Sequence, residues 1–251
     1  MRIAIVSDIH GNLPALEAVA ADFARRGVDL VVNLGDSLSG PLLPLETARF
    51  LMAQDWLQLA GNHERQILHA HQRTPSDVYA HAQLGEAELA WLVGLQPQHR
   101  LNPEVLLCHG TPRSDHEYFL ETVEPQGARL ASLAELEERM AGAEAALIAC
   151  GHSHVARAVR TTSGCLIVNP GSVGLQAYDD DHLHYHVMQN GSPDARYALV
   201  ERGAEGWSVA LIAVPYDWQP MAALAARNGR PDWAHAIATG YAVTASSAGQ
   251  P

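Results

Sequence analysis

The sequence contains no lysine; all 16 of its basic side chains are arginine. That removes a Schiff-base amine, a phosphate-loop lysine and a lysine-bridged metal pair from the chemistry available to it. Cations are scarce altogether, 16 against 28 acidic residues for a net charge of −12. No cluster of them tracks a phosphate backbone, so binding to nucleic-acid backbone or to an anionic membrane is not expected. Cysteine is limited to Cys108, Cys150 and Cys165, an odd number without C-x-x-C spacing. This argues against a disulfide framework or a zinc knuckle and assigns the three to apolar filling of a core. No run of about 18 apolar residues is present, and the first apolar stretch meets Asp8 and His10 too early for a secretory leader. The expectation is a soluble, cytoplasmic protein.

What is present is enough chain, 251 residues of 47% hydrophobic composition, to bury a substantial core. No Pro-, Gly- or Ser-rich linker divides it, which predicts a single domain over residues 1–240 and a flexible tail over 241–251. Residues 2–7 form a short β-branched apolar run and predict a buried strand. In the following segment Leu16, Val19, Ala20 and Phe23 recur at helical spacing, with Pro14 near the start and Gly27 past the end. A second apolar run ends at Gly35-Asp36, so strand, helix and strand predict a parallel right-handed unit. Further helices are predicted around 45–53, 64–73, 84–94 and 128–141, a short strand at WLQLA, and buried strands at EVLLCHG and AALIACGH. Beyond residue 155 the runs ARAVRTT, CLIVNPG, ARYALVE and WSVALIAV predict antiparallel strands, and 217–240 one or two helices.

Histidine is plentiful, with 14 copies. Five polar clusters follow predicted strands: Asp8-Ile9-His10-Gly11-Asn12, Gly35-Asp36, Gly61-Asn62-His63-Glu64, His109-Gly110 and Gly151-His152-Ser153-His154. The carboxyl ends of strands in an α/β sheet line one crevice, so these clusters are expected to converge. Carboxylates, an amide and imidazoles without thiolate suit divalent metals. Asp8 and His10, two apart on a segment read as extended, are expected to share a face, as are His152 and His154.

In order and in flanking glycines the five clusters resemble the calcineurin-like metallophosphoesterases, whose pattern is D-x-H, G-D, G-N-H-E/D, a later H, and G-H-x-H. The segments HGTP (109–112) and NPGSVG (169–174) are similar to the small bacterial branch of that family. The resemblance implies an α/β fold of two mixed β-sheets packed face to face and flanked by helices. It implies that Asp8, His10, Asp36 and His154 hold one metal and that Asp36, Asn62, His109 and His152 hold the second, with Asp36 bridging. It further implies hydrolysis of a small phosphate ester, monoester or diester, by a hydroxide bridging two divalent ions. Mn²⁺ is the first expectation, with Fe, Zn, Ni, Co or Mg also suited to the ligands. His63, outside both ligand sets, is the expected catalytic group, protonating the leaving oxygen or stabilising charge on the equatorial oxygens. Asn12 is divided between a helix cap and a contact to substrate phosphate, and Arg113 between a phosphate contact and an ordinary surface residue.

The second cluster departs from the protein-phosphatase form G-D-x-x-D-R-G, reading Gly35-Asp36-Ser37-Leu38-Ser39-Gly40. It thereby lacks the Asp that orients the histidine and the Arg that grips phosphate, and Glu64 is the nearest replacement for the former. Residues 178–194 read as an insertion at the pocket rim, with His182, His184 and His186 alternating along a strand. Two other readings are a metal-dependent amidohydrolase on a TIM barrel, which expects H-x-H and often a lysine bridge, and a non-catalytic scaffold of the same fold. A homo-oligomer is compatible with all of them.

Overall fold

The computed structural model describes residues 1–243. The chain begins with β1 (Arg2–Val6), α1 (Leu13–Arg26), β2 (Leu30–Asn33), α2 (Pro44–Met52) and β3 (Leu57–Gln58), two parallel crossovers in succession. Three short helices, α3 (Asn62–Leu68), α4 (Pro75–Gln83) and α5 (Glu86–Gly94), lead to β4 (Gln98–Asn102) and β5 (Val105–Cys108). A hairpin of β6 (Glu121–Glu124) and β7 (Gly127–Leu130) precedes α6 (Leu133–Arg139), β8 (Leu147–Ala149), β9 (Arg157–Arg160) and β10 (Leu166–Asn169). A second hairpin, β11 (Ala177–Asp180) and β12 (His186–Gln189), is followed by β13 (Ala195–Gly203), β14 (Gly206–Val214), α7 (Gln219–Arg227) and α8 (Pro231–Thr239).

Two five-stranded mixed sheets result, in the orders β14-β13-β1-β2-β3 and β4-β5-β8-β10-β9. Their packing follows from strand alternation. Ile3, Ile5 and Val32 of the first sheet meet Val105, Leu107, Leu147, Ala149 and Val168 of the second in one buried layer. The alternate residues Ala4 and Val6 face outward onto Leu16, Val19 and Phe23 of α1. On the far side Leu106, Cys108, Ile148, Cys150 and Ile167 pack on Phe119, Leu120 and Leu136. Strands buried on both faces are the physical reason the runs read as continuously apolar. Each fully buried Ile, Leu or Val stabilises by about 1.5–3 kcal/mol, so this middle layer is what fixes the two sheets against each other. The expected sandwich is the observed fold, and among the described residues the sheets form no closed parallel barrel, which removes the amidohydrolase alternative. No helix among the described residues is long and apolar enough to cross a membrane.

Local expectations are corrected in several places. The helix predicted over 128–141 begins only at Leu133, because Ser132 and Glu135 form a capping box and the residues before it pair as β6–β7. A similar box at Thr74 and Asp77 starts α4, which the periodicity did not separate. β4, polar and exposed at a sheet edge, carried no apolar signal. His182 and His184 lie exposed in the turn of the second hairpin, while His186 pairs with Asp180 and is buried, so the three share no face. All three cysteines are free and buried, as expected. The predicted tail lies, from residue 244, outside the described residues.

Candidate metal centre

The loops after β1, β2, β5 and β8, with the N-terminus of α3, meet at one end of the sandwich. Backbone hydrogen bonds lock the first two together: Asp8 N–H donates to Gly35 O at 3.0 Å, His10 N–H to Asp36 O at 3.0 Å and Gly11 N–H to Ser37 O at 2.9 Å. The segment carrying Asp8 and His10 is not extended. Asp8, His10, Asp36, His152 and His154 all have φ between 55° and 69°, a region that costs a non-glycine residue of order 1 kcal/mol or more. Five such residues at one place are held by the surrounding framework. Ser172 Oγ donates to Asp8 O at 2.7 Å, Asn169 Nδ2 to Gly151 O at 2.7 Å, and Val173 N–H to Ser7 O at 3.0 Å, which gives the NPGSVG segment its role as a brace.

The expected ligands come together in two groups. Donor atoms of Asp8, His10 and His154 lie within 4.8 Å of one another, as do those of Asp36, His109 and His152. Asn62 Oδ1 is 3.2 Å from His109 Nε2, and Asp36 Oδ2 is 3.1 Å from the same nitrogen. Two glycines make room: a Cβ on Gly61 would overlap Asp36 Oδ1 and crowd the His109 ring, and one on Gly151 would overlap Ser7 Oγ and lie 2.9 Å from Asp8 Oδ2.

Tautomers test whether this constellation fits cations. His10 Nδ1 lies 2.7 Å from Ser39 O, His154 Nδ1 2.8 Å from Leu175 O, and His109 Nδ1 3.0 Å from Leu34 O. A carbonyl only accepts, so each Nδ1 carries the hydrogen and each Nε2 points inward, the arrangement that outer partners impose on metal-ligating histidines. In neutral rings, His10 Nε2 and His154 Nε2 then face each other at 3.1 Å with two lone pairs and no proton between them. Asp8 Oδ1, buried 3.4 Å from His154 Nε2, likewise has no hydrogen-bond donor. Such an arrangement is repulsive by itself and is relieved by a divalent cation, so the residues fit the metal that the fold implies.

The electrostatics agree. Burial, followed by the neighbouring His154 and His63, pushes His10 down to about 3, so it stays an uncharged donor. Burial also holds His152 well below its ordinary value. Burial would lower His109 too, but Asp36 outweighs it and brings the ring up to about 10. His109 therefore carries a proton at Nε2 that a cation would displace. The carboxyl of Asp36 lies well below the usual range, with burial overcome by His109 and His63.

His63 stands beside these groups. Its backbone N–H donates to Asp36 Oδ1 at 2.9 Å, and its Nδ1 is 2.8 Å from Asp77 Oδ1, leaving Nε2 as the free nitrogen at the cleft. Asp77, missed in the sequence, is thus the orienting carboxylate. Glu64 is otherwise engaged, accepting from the backbone N–H groups of Asp36, Ser37 and Gly61 at 2.7–2.8 Å. The signal available for Asp77 was only its capping box with Thr74. Burial opposes protonation of His63, yet Asp36 and Asp77 raise it to about 9.

Asn12 is fully buried outside the cleft. Its Oδ1 accepts from Ala15 N–H and its Nδ2 donates to Gly174 O and Tyr216 OH, which makes it the α1 cap and leaves no free group for a substrate. Arg113 is tied to Glu117 and Glu138 at 2.6 and 3.0 Å and lines an outer cavity rather than the cleft over the two ligand groups. The cleft walls also include Tyr118, Tyr178, His116 and, from α8, Trp233, whose ring meets His10 edge-on at 5.7 Å. Nothing in the local sequence marked Tyr118, His116 or Trp233, whereas Tyr178 opens the 178–194 stretch expected at the pocket rim.

Residues 1–190 match the model of the calcineurin-like phosphoesterase superfamily domain. An archaeal protein of Methanocaldococcus jannaschii, named only as uncharacterized, is 22% identical over 92% of this chain and 94% of its own. The crystal structure of a metallophosphoesterase from Sphaerobacter thermophilus superposes with a TM-score of 0.71 at 24% identity, covering 94% of this chain and 98% of that one. A hypothetical protein from Pyrococcus horikoshii gives 0.73 at 17% identity, over 96% and 99%. These two likenesses concern the fold.

Proposed function

The chain belongs to the calcineurin-like phosphoesterase superfamily, and from that premise we propose that it hydrolyses phosphate esters with two divalent cations, Mn²⁺ before others. The observation that carries this reading is the pair of donor groups with inward Nε2 atoms and an unpartnered carboxylate oxygen, beside an imidazole that neither group uses. Asp8, His10, Asp36 and His154 would hold one cation and Asp36, Asn62, His109 and His152 the other. Divalent cations bound there supply Lewis-acid stabilisation of phosphoryl oxygens and an acidified water.

The chain's own residues do the rest. In the net reaction a water oxygen forms a new bond to phosphorus, the bond to the ester oxygen breaks with its electron pair, and that oxygen takes a proton. His63 supplies the proton from Nε2, while Asp77 holds Nδ1–H and fixes the direction in which the ring points. Asn62 adds a neutral oxygen donor, which avoids a further negative charge in a cleft that admits an anion.

The test is metal analysis with p-nitrophenyl phosphate and its bis-ester, run on wild type and His63→Ala. The reading expects two equivalents of metal in both proteins, hydrolysis lost on chelation and restored by Mn²⁺, and a rate about 10²–10⁴-fold lower in the variant. A metal-loaded wild type inert toward both esters would instead support a scaffold, and a His63→Ala protein at parent rate would remove His63 from the chemistry.

A further inference from the structure

The cleft over the donor groups continues into a larger space. The inner cavity, of about 200 Å³, is lined by His10, Asp36, Asn62 and His63. The outer one, of about 540 Å³, shares His116, Tyr118, His152 and Asp180 with it and extends between the two hairpins to Thr122, Val123, His182 and Leu183. The outer volume falls within the range of small-molecule sites and exceeds what a phosphoryl group fills.

Charge restricts the occupant. Among the described residues no arginine lines the inner cavity, and the chain has no lysine. The two arginines that line the outer one are engaged: Arg113 by Glu117 and Glu138, and Arg139 by Phe119 O, Glu121 O and Thr122 Oγ1. The other formal charges along it, Glu117, Glu121 and Asp180, are negative. A phosphomonoester near neutral pH carries about −1.5 to −2; the one side-chain cation facing the inner cavity, His63, is committed to the leaving oxygen, and no other is free to meet the second charge. A diester carries one. Rings run outward from the centre: His116 lies 5.1 Å from His152 and 5.0 Å from His182, and Tyr118 4.9 Å from His152, centroid to centroid. These rings already pack on one another in tilted pairs, and together they make an aromatic wall against which a planar group can lie.

Resting on the hydrolase reading above, we propose that the substrate is a phosphodiester, one of whose ester groups is a ring without negative charge seated in the outer cavity. Hydrolysis breaks one P–O ester bond by water and leaves a phosphomonoester and an alcohol. The larger negative charge of that product favours its release, because His63 has by then given up its proton and no other side-chain cation is free to hold it.

The Mn²⁺-loaded protein is assayed with phenyl p-nitrophenyl phosphate, methyl p-nitrophenyl phosphate and p-nitrophenyl phosphate. The expected order of kcat/KM is phenyl over methyl over monoester, with at least tenfold between first and last. Val123→Phe, which fills the outer cavity, and His182→Ala, which removes an exposed ring, are each expected to reduce the phenyl-to-methyl preference at least fivefold, with thermal unfolding and metal content as checks. A monoester used as well as the diesters, or a preference untouched in both variants, overturns the proposal and leaves the hydrolase reading standing. Inactivity toward all three with both metals bound overturns both.

Discussion

Replacing Asp77 by Asn tests the orienting role in a way that packing cannot imitate. Asp77 is fully buried; its Oδ1 faces His63 Nδ1 at 2.8 Å, while Oδ2 accepts from Thr74 N–H and Thr74 Oγ at 2.7 Å each. An amide of the same shape keeps one acceptor. If that oxygen stays on the Thr74 cap, an NH₂ group faces His63, and Nδ1 must then accept instead of donate. A charge-assisted hydrogen bond is worth about 1.5–3 kcal/mol, which at about 1.4 kcal/mol per factor of ten corresponds to roughly 10- to 150-fold in rate. The alternative orientation saves the bond to His63 and costs the cap about 1 kcal/mol of stability, a melting shift of roughly 2–4 °C for a chain of this size. The assay compares kcat for a diester with a poor leaving group, phenol, and one with a good leaving group, 2,4-dinitrophenol, in wild type and Asp77→Asn at saturating metal. Proton delivery matters for the first and little for the second. The loss is therefore expected on the phenyl ester and nearly absent on the dinitrophenyl ester, with metal content unchanged. Equal losses on both esters would show that Asp77 acts only as structure, and the assignment of His63 as proton donor would lose its support.

Further expectations rest on other parts of the molecule. Asp36→Asn removes the carboxylate proposed to bridge the two cations, so both metals should be lost by elemental analysis, with hydrolysis falling by more than the roughly 10–100-fold that an outer partner costs; retention of metal would refute the bridge. Gly61→Ala drives a methyl into Asp36 and His109, and titration calorimetry should show metal affinity at least about tenfold weaker, against no change if the loop gives way. Away from the centre, Asp22 accepts from the buried Tyr197 hydroxyl at 2.7 Å and from Arg26 at 2.6 Å. Burial pulls its carboxyl up, yet these partners hold it below the usual range. A depressed folded value means the stability is present above the unfolded pKa of about 3.9 and lost as pH falls through the folded one. Asp22→Asn should cost about 1–2 kcal/mol in denaturant titrations at pH 7, a gap that narrows below pH 4; a gap constant with pH would contradict it.

The sequence by itself determined the elements and the chemistry that end them. Ile3, Ile5 and Val32 mark buried strands because side-chain alternation and β-branching are local properties, and Asp8, Asp36, His109 and His152 follow such strands because sheets end in turns that polar residues and glycine tolerate. Family resemblance then sorted these residues into two sets sharing Asp36, and the structure gathers Asp8, His10 and His154 in one group and Asp36, His109 and His152 in another. Local patterns also misled. The charged run over 128–141 has helical composition throughout, but strand pairing claims its first part, and the Asp8–His10 segment, read as extended, is bent into positive φ by bonds to the β2 loop. The tertiary structure alone decided what reaches the site from a distance: Asp77 from α4, Trp233 from α8, and the outer cavity between the two hairpins. It also took Asn12 and Arg113 away, giving the first a backbone to cap and the second two glutamates to hold. The division has one physical cause. Strand and turn propensities act over a few residues, whereas the orientation of a side chain in a cleft depends on which distant segments bury it and hydrogen-bond to it.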